Sequence, residues 1–338
     1  MIKKSIIFPQ KNTAALVDEE FCMPIGKNIL VKTEISTISN GTERANISGD
    51  PNVSITQDSH MSMFPRRCGY SSAGVVFAVG QDVTEVKIGD RVALTGGSHS
   101  QYIQIPEDSA HIIMDEKISF NEAALMHIGT FPMAAIRKCH LEIGESAVVM
   151  GLGVLGLMAI QQLRAAGAMP VIAVDPNPEK RSFALNTGAD FAFDPFDKDF
   201  ADNVKSVTGG GANVAIEVTG SGKALDEVLD CMAKMGRVAL LGCTRSSDFT
   251  LDYYHKVHGP GISLIGAHTS ARPKRESSNG LWTLHDDVIA QFKLVLGHRL
   301  DLKALISEVH SPVEAPEVYS RLIAEPSFPV VQFDWSKI

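Results

Sequence analysis

Near its middle the chain reads Ser146-Ala147-Val148-Val149-Met150 and then Gly151-Leu152-Gly153-Val154-Leu155-Gly156. In such a G-x-G-x-x-G pattern the first glycine permits a tight turn and the second lets a pyrophosphate approach the backbone. The third lets the following helix pack closely on the strand. The N-terminus of that helix would direct its unpaired N–H groups at the phosphates. The pattern therefore predicts a dinucleotide-binding turn formed by Gly151, Gly153, Val154, Leu155 and Gly156.

An acidic residue follows the glycine pattern at the spacing that dinucleotide sites use. Asp175 ends the next strand-like run and stands 19 positions after Gly156. A carboxylate there accepts hydrogen bonds from the adenosine ribose hydroxyls and would repel a 2′-phosphate, so NAD is favoured over NADP. Lys180 and Arg181 lie close by but are expected on the next helix. The alternative interpretation is a structural turn with Asp175 as a helix cap.

Apolar strand-like runs alternate with amphipathic helix-like runs from about residue 126 to residue 269. This alternation is typical of a parallel sheet that helices cover on both faces. We therefore predict an α/β fold with a doubly wound, parallel Rossmann sheet over 126–269. The predicted elements are strands at Ala147–Met150, Val171–Val174, Phe191–Phe193, Val214–Val218, Val238–Leu241 and Ile262–Ile265, and helices at Asn121–Lys138, Val154–Ala166, Glu179–Thr187, Phe200–Val207 and Lys223–Met235.

The two ends of the chain have a different pattern. Residues 1–125 carry short β-branched runs between turn residues, which predicts a small antiparallel sheet or barrel. Residues 270–338 mix a helix at Asp286–Leu296 with β-prone pieces such as Pro329–Phe333, and we expect them to return to the first domain. The strands predicted in the first part are Asn28–Ile38, Gly74–Val79, Arg91–Leu94 and Tyr102–Ile105.

The composition argues against nucleic-acid and membrane partners. The 338 residues fit two domains, and the formal net charge is −8 without a block of like charges. The one basic cluster, Arg272–Arg275, is short and is expected to be a solvated loop rather than a phosphate-binding patch. Neither a run of ~18 apolar residues nor a secretory signal occurs. Five scattered cysteines do not suggest a disulfide framework and indicate a reducing, cytoplasmic location.

Several motifs resemble, in their order along nearly the whole chain, the medium-chain dehydrogenase/reductase superfamily, which includes zinc alcohol, sorbitol and threonine dehydrogenases. The resemblance implies a GroES-like catalytic domain from both chain ends, a Rossmann domain between them and the nicotinamide in the cleft. It also implies a homodimer or homotetramer. Thr219 and His268, after later Rossmann strands, join the expected cofactor-binding residues. The motifs are Asn40-Gly-Thr-Glu43, Gly69-Tyr-Ser-Ser-Ala-Gly-Val-Val76, Val86-Lys-Ile-Gly-Asp-Arg-Val92, the glycine pattern and Ile262-Ser-Leu-Ile-Gly-Ala267.

This chain departs from the zinc members of that superfamily at the metal positions. Zinc members carry Cys in place of Asn40, Gly-His-Glu in place of Gly69-Tyr70-Ser71, and often Glu or Cys near the position of His127. Structural-zinc members also have four closely spaced cysteines, whereas this chain has none between Cys68 and Cys139. Since zinc needs several Cys, His or carboxylate ligands, we predict that the metal chemistry is lost.

Side-chain donors would then have to replace the metal. By resemblance Thr42 matches the hydroxyl that relays the alcohol proton, and Tyr70 replaces a zinc ligand. His99 and His127 are further candidates, because imidazole exchanges protons near neutral pH. Each has a structural alternative: Thr42 holding its own turn, Tyr70 packed in a sheet, His99 in an exposed loop, and His127 packed beside a helix. Glu43 is expected to orient its neighbours, or to form a rebuilt metal site with the two histidines.

The resulting hypothesis is an NAD-dependent, zinc-independent oxidoreductase that acts on a hydroxyl or carbonyl of a polar small molecule. Polar groups such as Arg66, Arg67, His268 and Trp282 favour a polyol, a cyclitol or a sugar derivative. Two alternatives remain: a zinc-free enone or quinone reductase, whose usual preference for NADPH Asp175 opposes, and an NAD-binding protein without catalysis.

Overall fold

The structure of the chain, a computed structural model, describes residues 1–53, 63–247 and 249–338. Its strands are β1 (Ile2–Gln10), β2 (Thr13–Glu20), β3 (Asn28–Thr37), β4 (Ser71–Val79), β5 (Arg91–Thr95), β6 (Tyr102–Pro106), β7 (Ala110–Ile112), β8 (Ala147–Met150), β9 (Val171–Val174), β10 (Phe191–Phe193), β11 (Ala212–Glu217), β12 (Met232–Leu240), β13 (Ser263–Gly266), β14 (Glu308–His310) and β15 (Val331–Asp334). Its α-helices are α1 (Asn40–Ile47), α2 (Phe120–Ala123), α3 (Met126–Lys138), α4 (Val154–Ala166), α5 (Pro178–Thr187), α6 (Phe200–Thr208), α7 (Gly222–Asp230), α8 (Leu284–Leu296) and α9 (Ala315–Ala324).

The first compact unit consists of Met1–Ile128 and Leu302–Ile338. Its main sheet has the order β14-β15-β3-β4-β5-β7, and β6 also pairs with β3. The pairs are antiparallel, apart from the parallel pair of β14 and β15. A separate antiparallel hairpin joins β1 to β2. The antiparallel sheet predicted for the first part of the chain is therefore confirmed.

The second compact unit is Gly129–Asp301. Its sheet has the order β10-β9-β8-β11-β12-β13, and every neighbouring pair is parallel. Counted from β8, this is the 3-2-1-4-5-6 order of a Rossmann sheet. Every residue of β8 and β9 is buried, as a sheet covered on both faces requires. The strand order reverses between β8 and β11, so the turns after these two strands meet at the switch point.

The predicted helix Asn121–Lys138 is divided into α2 and α3. The carbonyl of Ala124, at the break, accepts hydrogen bonds from Thr37 Oγ1 at 2.9 Å and from Ser71 Oγ at 2.7 Å. These side chains belong to β3 and β4, so the sheet takes up the carbonyl that would otherwise continue the helix. Apolar spacing along 121–138 contains no sign of this competition.

The predicted helix Lys223–Met235 is wrong beyond Asp230. Residues from Met232 onward form β12, which pairs with β11 from Ala212 to Glu217. The pairing extends the strand well before the predicted start at Val238. Local propensity does not reveal a partner strand about 20 positions earlier, and the partner decides the conformation.

The second domain boundary also differs from the prediction, because residues 270–301 group with the second unit. Asp287 on α8 is fully buried and accepts hydrogen bonds from Arg137 Nε at 2.8 Å and Arg272 Nη1 at 3.2 Å. Arg272 also donates to the carbonyl of Thr130 at 2.9 Å. Its side chain is 7% exposed, so the predicted solvated loop is wrong at this residue. Burial raises the pKa of Asp287 and lowers that of Arg272.

In the parts of the chain that the structure describes, no helix is long and apolar enough to cross a membrane.

Candidate functional site

The glycine turn joins β8 to α4 at the switch point of the parallel sheet. Gly151 has φ +102°, and a Cβ there would lie 2.8 Å from Thr219 Cγ2. A Cβ on Gly156 would overlap the carbonyl oxygen of Gly151, so the helix lies directly on the turn. Gly153 is the N-cap residue of α4, and apart from Gly153 itself and its two chain neighbours, no described residue has a heavy atom within 4 Å of the Cβ position there. This turn has the geometry and the open space that a pyrophosphate needs.

Asp175 directly follows β9 and is tied to the glycine turn. Its Oδ2 accepts from the backbone N–H of Leu152 at 2.9 Å, and its Oδ1 accepts from Asn177 N at 2.9 Å. The residue is 8% exposed. Two hydrogen bonds therefore hold the carboxylate in place, so a ligand would meet its negative charge at a fixed position.

A cavity of about 190 Å³ lies beside this carboxylate within the second unit. Gly151, Asp175 and Thr219 line it together, so the structure brings three expected cofactor-binding residues to one place. Phe196 and Lys223 line it as well, with Lys223 Nζ 4.9 Å from the centre of the Phe196 ring. Sequence reasoning missed both, because they follow strands of the sheet without any motif.

Arg181, one of the two cations near Asp175, has partners of its own. Arg181 Nη1 donates to the carbonyl oxygens of Asp175 and Pro176, and it pairs with Asp194 Oδ2 at 3.1 Å. Its charge is therefore compensated within the second unit. His268 lies exposed after β13, where its Nδ1 accepts from the backbone N–H of Ser270 at 3.2 Å. It is not among the residues that line the cavity.

In the first unit, Tyr70 forms a compact group with Ser39 and His127. The Tyr70 hydroxyl lies 2.5 Å from Ser39 Oγ. The Tyr70 and His127 ring centroids are 5.1 Å apart at 76°, and His127 Nδ1 donates to the Tyr70 carbonyl at 2.7 Å. A carbonyl only accepts, so this bond assigns the lone pair of a neutral His127 ring to Nε2. The group can donate and accept protons.

Ser39 is a candidate that sequence reasoning missed. It precedes α1 and is the N-cap residue of that helix. A serine there usually turns its hydroxyl to the helix backbone, so the sequence signals only a cap. Here the hydroxyl contacts Tyr70, while Glu43 Oε1 accepts from the Ser39 backbone N–H at 2.8 Å.

The alternative that placed His99 in an exposed loop is wrong, because its side chain is fully buried. Its Nδ1 lies 2.8 Å from Ser36 Oγ, and its Nε2 lies 3.2 Å from both Glu43 oxygens. Because the Glu43 carboxylate only accepts, a neutral His99 ring carries its proton on Nε2, and its Nδ1 accepts from Ser36 Oγ. Ser36 Oγ also accepts from Trp335 Nε1 at 2.9 Å. Both ring nitrogens therefore have hydrogen-bond partners in the interior of the first unit.

Glu43 is the centre of this buried network. Besides His99 and Ser39, it accepts a hydrogen bond from the Tyr319 hydroxyl at 2.6 Å. Burial and then the nearby carboxylate raise the pKa of Tyr319 well above its usual range, and they also raise that of Cys68. The geometry agrees with the expectation that Glu43 orients its neighbours.

Two residues at the family's metal positions, Asn40 and Ser71, donate to backbone carbonyls. Asn40 Nδ2 donates to the carbonyls of Phe328 at 2.9 Å and Pro329 at 3.0 Å, and Ser71 Oγ donates to Ala124. Among residues 1–53, 63–247 and 249–338, no group of three or more His, Cys, Asp or Glu side chains is arranged to hold a metal ion. The residues present do not fit the zinc site of the family. Thr42 lies half-buried in α1 close to these positions.

Three of the polar groups considered for substrate have other partners. Arg67 forms an ion pair with Glu19, and Arg66 Nη1 donates to Asn46 Oδ1 at 2.7 Å. The Arg137 guanidinium lies 3.6 Å from the centre of the Trp282 ring. These contacts explain the three side chains as parts of the fold.

Comparison with known proteins connects both halves of the chain to dehydrogenases. Residues 27–115 match the alcohol dehydrogenase GroES-like domain, and residues 154–283 match the zinc-binding dehydrogenase family. D-guloside 3-dehydrogenase of Escherichia coli (strain K12) is 24% identical over 337 residues, which cover 95% of this chain and 96% of that protein. (R,R)-butanediol dehydrogenase of Bacillus subtilis (strain 168) is 29% identical over 52% of this chain and 58% of its own length.

Two solved structures share the fold over nearly the full length. An alcohol dehydrogenase from E. coli CFT073 in complex with NADH has a TM-score of 0.81 and 18% identity, covering 98% of this chain and 99% of its own. A zinc-binding dehydrogenase from Sinorhizobium meliloti 1021 bound to NADP has a TM-score of 0.81 and 20% identity, covering 99% of each chain. At these identities the likeness establishes the fold.

The surroundings of Gly156 and Gly153 predict different losses of stability for alanine substitutions. Gly156→Ala places a Cβ on the Gly151 carbonyl, so we expect the free energy of unfolding to fall by about 1–3 kcal/mol through overpacking. Gly153→Ala meets open space and carries only the poorer N-cap preference of alanine, so the loss should stay below about 1 kcal/mol. Urea denaturation of both variants measures the difference, and equal stabilities would contradict the close approach of α4.

Proposed function

Because this chain belongs to the medium-chain dehydrogenase/reductase superfamily, we propose that it is an NAD-dependent oxidoreductase that works without zinc. It interconverts a hydroxyl and a carbonyl of a polar small molecule: a polyol, a cyclitol or a sugar derivative. The proposal is carried by the group of Ser39, Tyr70 and His127, which supplies proton donors and acceptors beside the family's metal positions. The named activities of the relatives, on a guloside and on butanediol, support a hydroxyl substrate.

The second unit would hold the dinucleotide. Gly151, Gly153 and the N-terminus of α4 would bind the pyrophosphate, and Asp175 would accept hydrogen bonds from the adenosine ribose. When bound, the nicotinamide supplies the acceptor or donor of the hydride. The fixed carboxylate of Asp175 supports NAD over NADP, because a 2′-phosphate would meet a negative charge that two backbone N–H groups hold in place.

In the first unit the phenol of Tyr70 would hydrogen-bond the substrate oxygen. The Ser39 hydroxyl, 2.5 Å from it, would keep the phenol oriented and supply a second proton. The His127 imidazole would accept the alcohol proton in oxidation and return it in reduction. Thr42 stays a candidate for the relay hydroxyl. His99 is left out, because its buried ring nitrogens are bound to Ser36 and Glu43.

Cofactor preference tests the role of Asp175. We expect isothermal titration calorimetry to show NADH binding more tightly than NADPH by ~1.5–3 kcal/mol, since NADPH loses a charge-assisted hydrogen bond and meets repulsion. Asp175→Asn should narrow this gap, whereas Asp202→Asn, which makes the same change of charge at an exposed residue of α6, should keep the preference for NADH. Tighter binding of NADPH by the unaltered protein would overturn the assignment.

Proton handling is tested by shape-conserving variants assayed with NAD and a panel of sorbitol, myo-inositol, 2,3-butanediol and methyl gulosides. Tyr70→Phe, His127→Asn and Thr42→Val each remove one exchangeable group, and loss of the true proton-transfer group should lower kcat by roughly 10²–10⁴-fold. NADH affinity should stay nearly unchanged, because the proposed dinucleotide contacts lie in the second unit. Tyr102→Phe on β6 is the matched control and should keep the full rate.

Two outcomes would contradict the mechanism. If the three variants all retain the wild-type rate, the chemistry depends on other groups. If the unaltered protein binds NADH but turns over no member of the panel, a silent NAD-binding protein is favoured instead.

Metal content tests zinc independence in the same preparations. Elemental analysis should find far less than one zinc per chain, and a chelator should not change the rate, because Asn40 and Ser71 direct their donors to carbonyls. Stoichiometric zinc whose removal abolishes turnover would refute this part of the proposal.

A further inference from the structure

A buried carboxylate, Glu217, lies at the centre of the parallel sheet and has no part in the function proposed above. It ends β11, pairs with Met150 of β8 on one side and Leu240 of β12 on the other, and is 2% exposed. An unpaired carboxylate in such a place would cost several kcal/mol, so its hydrogen-bond partners decide whether the site is stable.

The carboxylate of Glu217 accepts hydrogen bonds from the turn that follows it. Its Oε1 accepts from the Thr219 backbone N–H at 2.7 Å and, in a short hydrogen bond, from Thr219 Oγ1. The Gly220 backbone N–H lies 3.2 Å from Oε1 and 3.1 Å from Oε2. Burial raises the pKa of this carboxyl group, and the bonds to Thr219 and Gly220 oppose the shift. One side chain thus determines the path of two successive residues.

The same turn is confined by its neighbours on both sides. Thr219 Cγ2 lies 2.8 Å from the position that a Cβ on Gly151 would occupy, so the turn touches the glycine turn. A Cβ on Gly242 would overlap the backbone N–H of Gly220, so the chain after β12 presses on it from the other side. Thr219 also lines the cavity that contains Asp175. A shift of this turn would change the wall of that cavity.

We propose that Glu217 is a positioning residue for dinucleotide binding, which holds Thr219 and Gly220 against the glycine turn and thereby shapes the adenosine side of the site. The inference rests on the proposed use of NADH. It assigns to Glu217 no contact with the cofactor; the carboxylate acts through the turn. Its loss should therefore weaken binding of any ligand that uses this cavity.

The experiment compares Glu217→Leu and Glu217→Gln with the unaltered protein in titrations with NADH and with AMP. Leucine leaves the N–H groups of Thr219 and Gly220 without an acceptor, and NADH and AMP should both bind about tenfold more weakly, the change that one lost charge-assisted hydrogen bond produces. Glutamine keeps one oxygen for Thr219 but turns an NH₂ group toward an N–H donor, so it should restore part of the affinity. Urea denaturation of each variant separates folding from binding.

Asp190→Asn is the matched control. Asp190 Oδ2 accepts from the backbone N–H of Val171 at 2.7 Å, at the first residue of β9 and thus at the opposite end of the same sheet. Its substitution removes a carboxylate bond to the backbone of the same sheet and should lower stability without changing the affinity for NADH or AMP.

The other possible results each contradict one part of the proposal. If Glu217→Leu does not fold, the glutamine variant alone tests the proposal, and full affinity in it would overturn the role of Glu217. If NADH binding weakens while AMP binding is unchanged, the assignment to the adenosine side is wrong. If Asp190→Asn loses as much affinity as Glu217→Leu, the weaker binding results from general destabilisation and not from the position of the turn. An unaltered protein that binds neither NADH nor NADPH would refute the proposed function, not this inference alone.

Discussion

The close approach of α4 to the turn after β8 is the constraint on which the second unit depends. The third glycine of the turn, Gly156, lies so near the carbonyl of Gly151 that a single Cβ would collide with it. Because the helix begins this close to the sheet, its N-terminus lies at the carboxyl end of β8, where the space beside Gly153 is open. At the same turn, Thr219 lies against Gly151, and the N–H of Leu152 donates to Asp175. The turns after β8, β9 and β11 therefore contact one another.

Buried carboxylates with complete sets of donors hold the parts around this constraint in place. Glu43 in the first unit binds His99, Tyr319 and the backbone of Ser39; Glu217 and Asp287 act in the second unit. A buried charge is tolerated only where several donors satisfy it, and breaking such a set is costly. Each of these acids therefore fixes a chain segment that few apolar contacts would specify. Glu43 orients the start of α1, beside which the hydroxyls of Ser39 and Tyr70 meet.

Without a metal, the proposed reaction needs another way to stabilise charge on the substrate oxygen. A zinc ion stabilises a developing negative charge on oxygen as a Lewis acid. In the proposed reaction that task passes to neutral hydrogen-bond donors held at fixed positions, which act most strongly where water is excluded. Asn40 Nδ2 and Ser71 Oγ, at the family's metal positions, donate to backbone carbonyls of the first unit.

Local pattern was sufficient for the Rossmann core: the predicted bounds of Ala147–Met150, Val154–Ala166 and Val171–Val174 coincide with β8, α4 and β9. These elements depend on apolar periodicity and on glycines that act on their immediate neighbours, and both are visible in a short window of sequence. The break within 121–138, the strand after Asp230, the burial of His99 and Arg272, and the pairing of Ser39 with Tyr70 were decided by tertiary structure. Each depends on a partner far along the chain, as with His99 and Glu43, 56 positions apart, or Trp335 and Ser36, 299 positions apart. Hydrogen bonding and burial act over a few ångströms in space, and only the folded backbone determines which distant residues come within that range.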